Sequence, residues 1–331
     1  MANTKKILAM IESRARNDDE QFYSIALQIA AAEARSGRKQ MAENIRKAVD
    51  EARAGKRSAA SVPLAFAKPR GDLDGLLELR NPQYTLHDVI LSEPLANKLQ
   101  DLVREQQQRA WLREHGKVPH RRVLFLGPPG SGKTMTAEAL AKQLKLPLYV
   151  IRLEALITRF MGETAAQLRL VFDEVDQRRG VYLFDEFDAL GTRRDSTNDV
   201  AEMRRVLNSF LQFMEAPNST DSVVVTATNF PDLLDNALLR RFDLVLEFKP
   251  PMPEHVREIV KANLRPLKHP RLGWKSITAA AAGLSQSEIA RATEDAVKTA
   301  ILDEQDRIRT QDIVNRLHER KEMRAAFTGA S

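Results

Sequence analysis

The chain has 331 residues, 43% hydrophobic and 29% charged, enough for two or three domains with sizeable cores and unlike a disordered chain. It has no cysteine, which excludes a disulfide framework, a thiolate metal site and a cysteine nucleophile, and points to a reducing cytoplasm. The net charge of +6 is uneven: residues 1–72 hold 14 Lys/Arg against 9 Asp/Glu. A solvated helical surface accounts for that excess more simply than a nucleic-acid footprint.

The N-terminus carries Lys5 and Lys6 but only a short apolar run, interrupted at Glu12, so it reads as an amphipathic helix and not as a signal peptide. No stretch approaches the length of a membrane span, and a soluble protein is expected. Phe22, Ile25, Ala26, Ile29 and Ala30 fall on one helical stripe. Met41, Ile45, Val49 and Ala52 repeat the pattern after Ser36-Gly37, and Asn17-Asp18-Asp19 caps between the first two helices. Residues 1–55 are therefore expected to form a small helical unit, either a plain core of its own or a docking module for a substrate or partner.

Residues 56–75 are rich in small residues, Pro and Gly and read as a linker. Over residues 76–250 apolar runs alternate with helical patterns. Strands are expected at Val123–Leu126, Leu148–Leu153, Val181–Phe184, Val223–Thr228 and Leu244–Phe248. Strands separated by helices imply an α/β fold: a doubly wound parallel sheet with helices on both faces. After Pro250-Pro251-Met252-Pro253 the pattern is purely helical, so residues 251–331 are expected to be a second, smaller domain. There is no internal repeat.

Gly127-Pro128-Pro129-Gly130-Ser131-Gly132-Lys133-Thr134 follows the apolar run VLFL and precedes a helix expected to begin near Met135. It fits the P-loop pattern in its strand–loop–helix context. Glycines let backbone N–H groups approach phosphates closely, and the helix N-terminus favours an anion. Pro129, Gly130, Ser131, Gly132 and Met135 are thus candidate nucleotide contacts. Lys133 is expected on the β- and γ-phosphates of ATP, and the Thr134 hydroxyl on Mg²⁺. Val181-Tyr182-Leu183-Phe184 ends in Asp185-Glu186, two carboxylates at the edge where open α/β sheets bind ligands. Asp185 is a candidate Mg²⁺ holder and Glu186 a candidate general base toward water. An apolar run ending in Asp-Glu is a common strand exit; its place after the P-loop and before Phe187-Asp188-Ala189-Leu190 gives it weight.

From about residue 85 onward the chain resembles the AAA+ ATPases, in particular the branch of katanin, spastin and the membrane-associated AAA proteases. The resemblance is carried by GPPGSGKT, FDEFDAL, VVVTATNFPDLLDNALLRRFD and GLSQSEIARATEDA, in the family's order. It implies a P-loop AAA+ sheet with a C-terminal helical lid, and a homo-oligomeric ring, usually a hexamer. By that likeness Asn229 is the sensor that positions the lytic water. Arg240 and Arg241 match arginine fingers acting on a neighbouring subunit. Asp88, Val89 and Ile90 would read the adenine through the backbone, and the lid stretch from Gly283 to Ser287 would close over adenine and ribose. Other AAA+ groups carry an arginine at the start of the lid helix, where this chain has Gln286 and Ser287, with Arg291 one turn later.

Thr158-Arg159-Phe160-Met161-Gly162-Glu163-Thr164 resembles the first pore loop of unfoldases, with Phe160 and Met161 as an apolar clamp on polypeptide. The same residues could instead be core under a loop. Thr192–Asp199 would line the same channel, and Glu202-Met203-Arg204-Arg205-Val206 resembles a helix facing the neighbouring subunit. A protein-remodelling motor is the favoured reading, with a separate protease or adaptor recruited through the N-terminal helices as one arrangement. A nucleic-acid-associated ATPase is the alternative. It is disfavoured because no aromatic-rich basic stretch, helix-turn-helix cue or zinc knuckle is present. A metabolic kinase would need an acceptor pocket and no arginine fingers. His318-Glu319-Arg320-Lys321-Glu322 lacks the second histidine of HExxH, so the chain itself is not read as a protease.

Overall fold

Strands buried on both faces need continuous apolar runs, and five such runs form the centre of this molecule. In the computed structural model the described residues are 75–158, 164–190, 197–230, 239–267 and 271–328, with Ala30, Gln40, Met41, Glu43, Lys47 and Leu73 as isolated positions. The chain separates into two units, Met1–Ala67 and Lys68–Ser331. In the first unit Ala30 is helical and buried, and Met41 is helical and exposed; the other residues of the two helical stripes lie outside the described residues, as does the expected linker apart from Leu73 and Gly75.

In the second unit the order is β1 (Leu77–Arg80), α1 (Glu93–Gln107), α2 (Arg109–Glu114), β2 (Arg122–Leu126), α3 (Lys133–Leu144), β3 (Leu148–Ile151), α4 (Leu153–Thr158), α5 (Thr164–Gln177) and β4 (Val181–Phe184). A 3₁₀ turn (Phe187–Leu190) follows, then α6 (Thr197–Glu215), β5 (Val223–Thr228), β6 (Leu244–Glu247), α7 (Pro253–Asn263), α8 (Trp274–Ala281), α9 (Gln286–Leu302) and α10 (Thr310–Thr328). The sheet order is β1-β3-β4-β5-β2-β6. All neighbours run parallel except β1, which pairs antiparallel with β3, Leu77 opposite Ile151 and Arg80 opposite Leu148.

Period-two alternation divides the strand residues between two apolar layers. Leu124, Tyr149, Ile151, Tyr182, Phe184 and Val224 pack with α5 and α6 residues such as Leu168, Phe172 and Phe210. Val123, Phe125, Val150, Leu183 and Val225 face the other way, onto Leu99 and Leu102 of α1 and Leu140 of α3. A third cluster, with Val260, Ile277, Ile289 and Leu317, holds the C-terminal helices together, and Ile90 from the segment before α1 packs on it. No helix among the described residues is long and apolar enough to cross a membrane.

Three details differ from the sequence reading. The edge strand β1 was not expected: Leu77 alternates with Glu78 and Arg80, which lie on the polar side and pair with each other, the charged edge that blunts further pairing. The expected strand Leu148–Leu153 stops at Ile151, and Leu153 opens α4. Helix α3 begins at Lys133 and α6 at Thr197, inside the loop expected over Thr192–Asp199; of that loop, residues 192–196 lie outside the described residues.

Candidate active site

Because β4, β5 and β2 are neighbours, their carboxyl ends bring three separate loops to one place, the crevice position expected of a doubly wound sheet. After β2 the chain turns through Gly127 at φ 154°, Gly130 at 71° and Gly132 at 94°. A Cβ on Gly127 would stand 2.4 Å from the Phe248 carbonyl oxygen, so only glycine lets the loop leave the sheet there. Gly132 caps α3 from the left-handed region, and Lys133 points back under the loop.

The Lys133 ammonium donates to the Gly127 oxygen at 2.7 Å, the Pro128 oxygen at 3.0 Å and Asn229 Oδ1 at 2.9 Å. Burial pulls its pKa below the ordinary lysine value, against the opposing pull of Asp185 and Asp188. Thr134 Oγ1 donates to Asp185 Oδ2 at 2.6 Å. Ser131 is 3% exposed, and its hydroxyl has no hydrogen-bond partner among the described residues. A buried orphan hydroxyl costs free energy, and in this loop a phosphate oxygen would satisfy it.

Glu186 sits at φ 50°, a conformation a non-glycine residue seldom adopts, and is exposed; its N–H donates to Asp185 Oδ1 at 3.0 Å. Asp188 is a site residue to which the sequence reading gave no role. Its Oδ1 accepts from Thr228 Oγ1 and from the Asn229 N–H, both at 3.1 Å, and so ties the exit of β4 to the exit of β5. The Asp-Glu-x-Asp spacing was the available signal: the 3₁₀ turn swings the second aspartate back toward the sheet edge.

The lid reaches the same loop. Ser285 and Glu288 form a capping box at the start of α9, and the Ser287 N–H donates to the Gly130 oxygen at 3.0 Å. Gln286 Nε2 donates to the Ile90 oxygen at 3.1 Å. Val89 is buried. Asp88 is exposed and accepts from Thr85 N and Thr85 Oγ1, each at 2.7 Å; the Thr85 hydroxyl first, then its N–H, hold the carboxyl below the usual carboxylate range. Gly283, at φ 85°, forms the turn before α9 and accepts from Arg324 Nη1 at 2.6 Å; Pro129 is exposed and Met135 half-buried.

The two arginines of ALLRRFD lie apart from these groups. Arg240 is exposed, and Arg241 Nη1 pairs with Glu215 Oε2 at 2.9 Å. Asp243 anchors their turn: it accepts from the Arg121 N–H at 3.0 Å, the Arg122 N–H at 2.9 Å and the Arg122 guanidinium. Burial alone would raise the Asp243 pKa; the Arg122 side chain and the two backbone donors overcome it and hold it low. Phe160 and Met161 lie outside the described residues, as do the side chains of Arg204 and Arg205. A cleft of about 220 Å³, lined by Arg121, Arg122, Asp173 and Phe213, sits at the amino ends of β2 and β5 and holds none of the expected site residues.

Residues 123–250 match the ATPase family associated with various cellular activities (AAA). The AAA family ATPase y4kL of Sinorhizobium fredii is 33% identical over 93% of this chain and 92% of its own length. The chain belongs to the AAA family of ATPases. This AAA ATPase is also 31% identical, over 71% of its length, to a putative 26S proteasome regulatory subunit homolog of Methanothermobacter marburgensis, of which it covers 64%. It is 30% identical, over 69% of its length, to the ATP-dependent zinc metalloprotease FtsH of Lancefieldella parvula, of which it covers 36%. As an AAA ATPase it binds nucleotide and hydrolyses ATP.

Proposed function

We propose that this AAA ATPase hydrolyses ATP-Mg²⁺ at the boundary between neighbouring subunits of a ring, and uses the energy to remodel, unfold or thread a polypeptide. The observation that carries the reading is the convergence of Lys133, Thr134, Asp185 and Asn229 on a loop whose Ser131 hydroxyl is buried without a partner among the described residues.

Thr134 and Asp185 offer a hydroxyl and a carboxylate, which suit a hard cation that keeps several waters and takes its other ligands from phosphate. Among the described residues there is no cluster of three or more His, Cys, Asp or Glu, in keeping with an ion bound largely through substrate. Bound there, Mg²⁺ would neutralise charge developing on the phosphate oxygens. Lys133 exchanges its carbonyl partners for β- and γ-phosphate oxygens. Glu186 takes a proton from water as the water oxygen attacks the γ-phosphorus and the bond to the bridging oxygen breaks, releasing ADP. Asn229 orients that water, and Asp188 holds Asn229 in position. Residues 76–250 act as the nucleotide-binding domain and 251–331 as the lid, with 1–55 as a docking region joined through 56–75.

Polypeptide as the object of the work is supported by the relatives whose names refer to the proteasome and to an ATP-dependent metalloprotease. The Phe160-Met161-Gly162 segment is the proposed grip, a separate protease or adaptor a proposed partner, and the cytoplasm the proposed location. The test is the Glu186→Gln protein in ATP-Mg²⁺. Retained nucleotide, arrested turnover, an assembled ring and a co-purifying polypeptide cross-linked at Phe160 are expected. Unchanged turnover removes the general-base role, and cross-linked nucleic acid in place of polypeptide removes the remodelling reading.

A further inference from the structure

The cleft at the amino ends of β2 and β5 is built from three sides. Helix α5 supplies Phe172, Asp173 and Asp176, the last turn of α6 supplies Phe213 and Met214, and Arg121 stands where the chain enters β2. Met214 is buried, and the Phe172 and Phe213 rings lie 5.8 Å apart, so the floor is apolar. The charges at its edge are not matched to one another. The Arg121 guanidinium uses one donor on the Ala216 oxygen at 3.0 Å and forms no ion pair among the described residues. Burial first, and Arg122 beside it, lower the Arg121 pKa, the mark of a cation partly stripped of water. Asp176 attracts Arg121 without closing to an ion pair with it, and Asp173, one turn earlier on α5, lines the same opening.

The volume of about 220 Å³ lies below the ~300–1,000 Å³ of sites that hold drug-sized ligands. A ligand for this cleft is therefore small, and it needs an apolar group for the floor, an anion for Arg121 and a cation for the aspartates. We propose that the cleft binds a free α-amino acid with a large apolar side chain: its carboxylate on Arg121, its ammonium on Asp176 and Asp173, its side chain on Phe172, Phe213 and Met214. Such a ligand bridges the gap between Arg121 and Asp176 that the protein leaves open. It also fixes the end of α6, because Arg121 holds the oxygen of Ala216, the residue that follows that helix. Strand β2 carries the cleft at Arg122 and the phosphate loop beyond Leu126, about 13 Å further on at ~3.3 Å per residue. The two sites thus lie at opposite ends of one strand, and filling the cleft does not depend on the nucleotide.

Binding is measured by calorimetry on the full chain with phenylalanine, phenylalaninamide, N-acetylphenylalanine and glycine. Phenylalanine should bind with a Kd of about 1 mM or tighter, as expected of a ligand of about a dozen heavy atoms. The amide lacks the carboxylate and the acetyl form lacks the ammonium, so each should bind about tenfold more weakly, the loss of one charge-assisted hydrogen bond. Glycine keeps both charges but buries no ring, and should bind about thirtyfold more weakly. Arg121→Gln should bind phenylalanine and its amide alike; the Asp173→Asn/Asp176→Asn pair should bind phenylalanine and its acetyl form alike. Ala216→Trp sets an indole at the opening from an exposed position and should abolish phenylalanine binding while ADP binding, which also reports the fold, is retained. Saturating ADP-Mg²⁺ should not displace phenylalanine from wild type. No saturation by ~10 mM phenylalanine, equal binding of the masked forms or glycine to wild type, or full binding by Ala216→Trp overturns the proposal and leaves the nucleotide site standing. Displacement by ADP assigns the amino acid to the nucleotide site and overturns it as well. Failure of wild type to bind ADP removes the nucleotide site alone.

Discussion

Gly130 and Gly127 both carry positive φ in the same loop, yet substituting them should do different things. A Cβ on Gly130 would meet Ser287 Oγ at 2.2 Å, Ser285 Oγ at 2.8 Å and Ser287 Cβ at 3.2 Å, all of them on the lid. The hydroxyls can rotate away; the Ser287 Cβ cannot, because its own N–H is bonded to the Gly130 oxygen. Alanine there carries a left-handed penalty of about 1–2 kcal/mol. Loss of the Ser287–Gly130 hydrogen bond adds about 1 kcal/mol. The Ser287 contact and the lost hydrogen bond fall on closure of the lid over the loop, so Gly130→Ala should weaken ADP binding by roughly fivefold or more, at 1.4 kcal/mol per tenfold. The φ penalty falls on the loop itself and should lower the urea midpoint modestly. A Cβ on Gly127 would instead stand 2.4 Å from a backbone oxygen between β2 and the residue following β6, which cannot rotate aside. Gly127→Ala should therefore lower the global unfolding free energy, measured by urea denaturation. The Gly130→Ala/Ser287→Gly pair should recover part of the affinity, since it removes the Cβ contact and leaves the φ penalty. A Gly130→Ala protein that binds ADP like wild type, or one in which Ser287→Gly restores nothing, refutes the argument.

Arg241→Ala should lower kcat by about 10³-fold or more if Arg241 acts as an arginine finger. Glu215→Ala should change it far less, because their ion pair is exposed on both sides and such pairs contribute about 0–1 kcal/mol. A larger loss in Glu215→Ala refutes the assignment. Mixing Arg241→Ala subunits into wild type should depress activity more than in proportion, and simple dilution of activity argues against action in trans. Asp243→Asn should cost about 2–3 kcal/mol at neutral pH, the scale of hydrogen bonds to a charged group. The folded-state pKa of Asp243 lies below its unfolded value. Its contribution is thus complete above about pH 4 and is lost as the pH falls through the depressed value, so wild type and variant should converge in acid urea melts. A constant gap between the two down to the lowest pH refutes it. Phe160→Ala should slow ATP-dependent unfolding of a fluorescent polypeptide substrate, and an unchanged rate removes the pore assignment.

The five parallel strands were legible because burial on both faces demands uninterrupted apolar runs, and Val223–Thr228 or Val181–Phe184 fit little else. Strand β1 was not, because at an edge only Leu77 and Leu79 need be apolar, and Glu78 and Arg80 make the run look like a turn. Lys133, Thr134, Asp185 and Asn229 were readable as motifs. Their meeting depends on β2, β4 and β5 being neighbours, which spacing along the chain does not state. The role of Asp188 and the pairing of Gln286 with Ile90 escaped for a related reason: each reaches an element remote in sequence, Asn229 in one case and Ile90 in the other. A local pattern records what a residue does to its own helix or strand. Ser285 and Glu288 could be read as a helix cap because both partners lie within one turn. By contrast, a carboxamide that opens a helix and bonds a carbonyl 196 positions away leaves no local mark, and only the folded chain brings the two together.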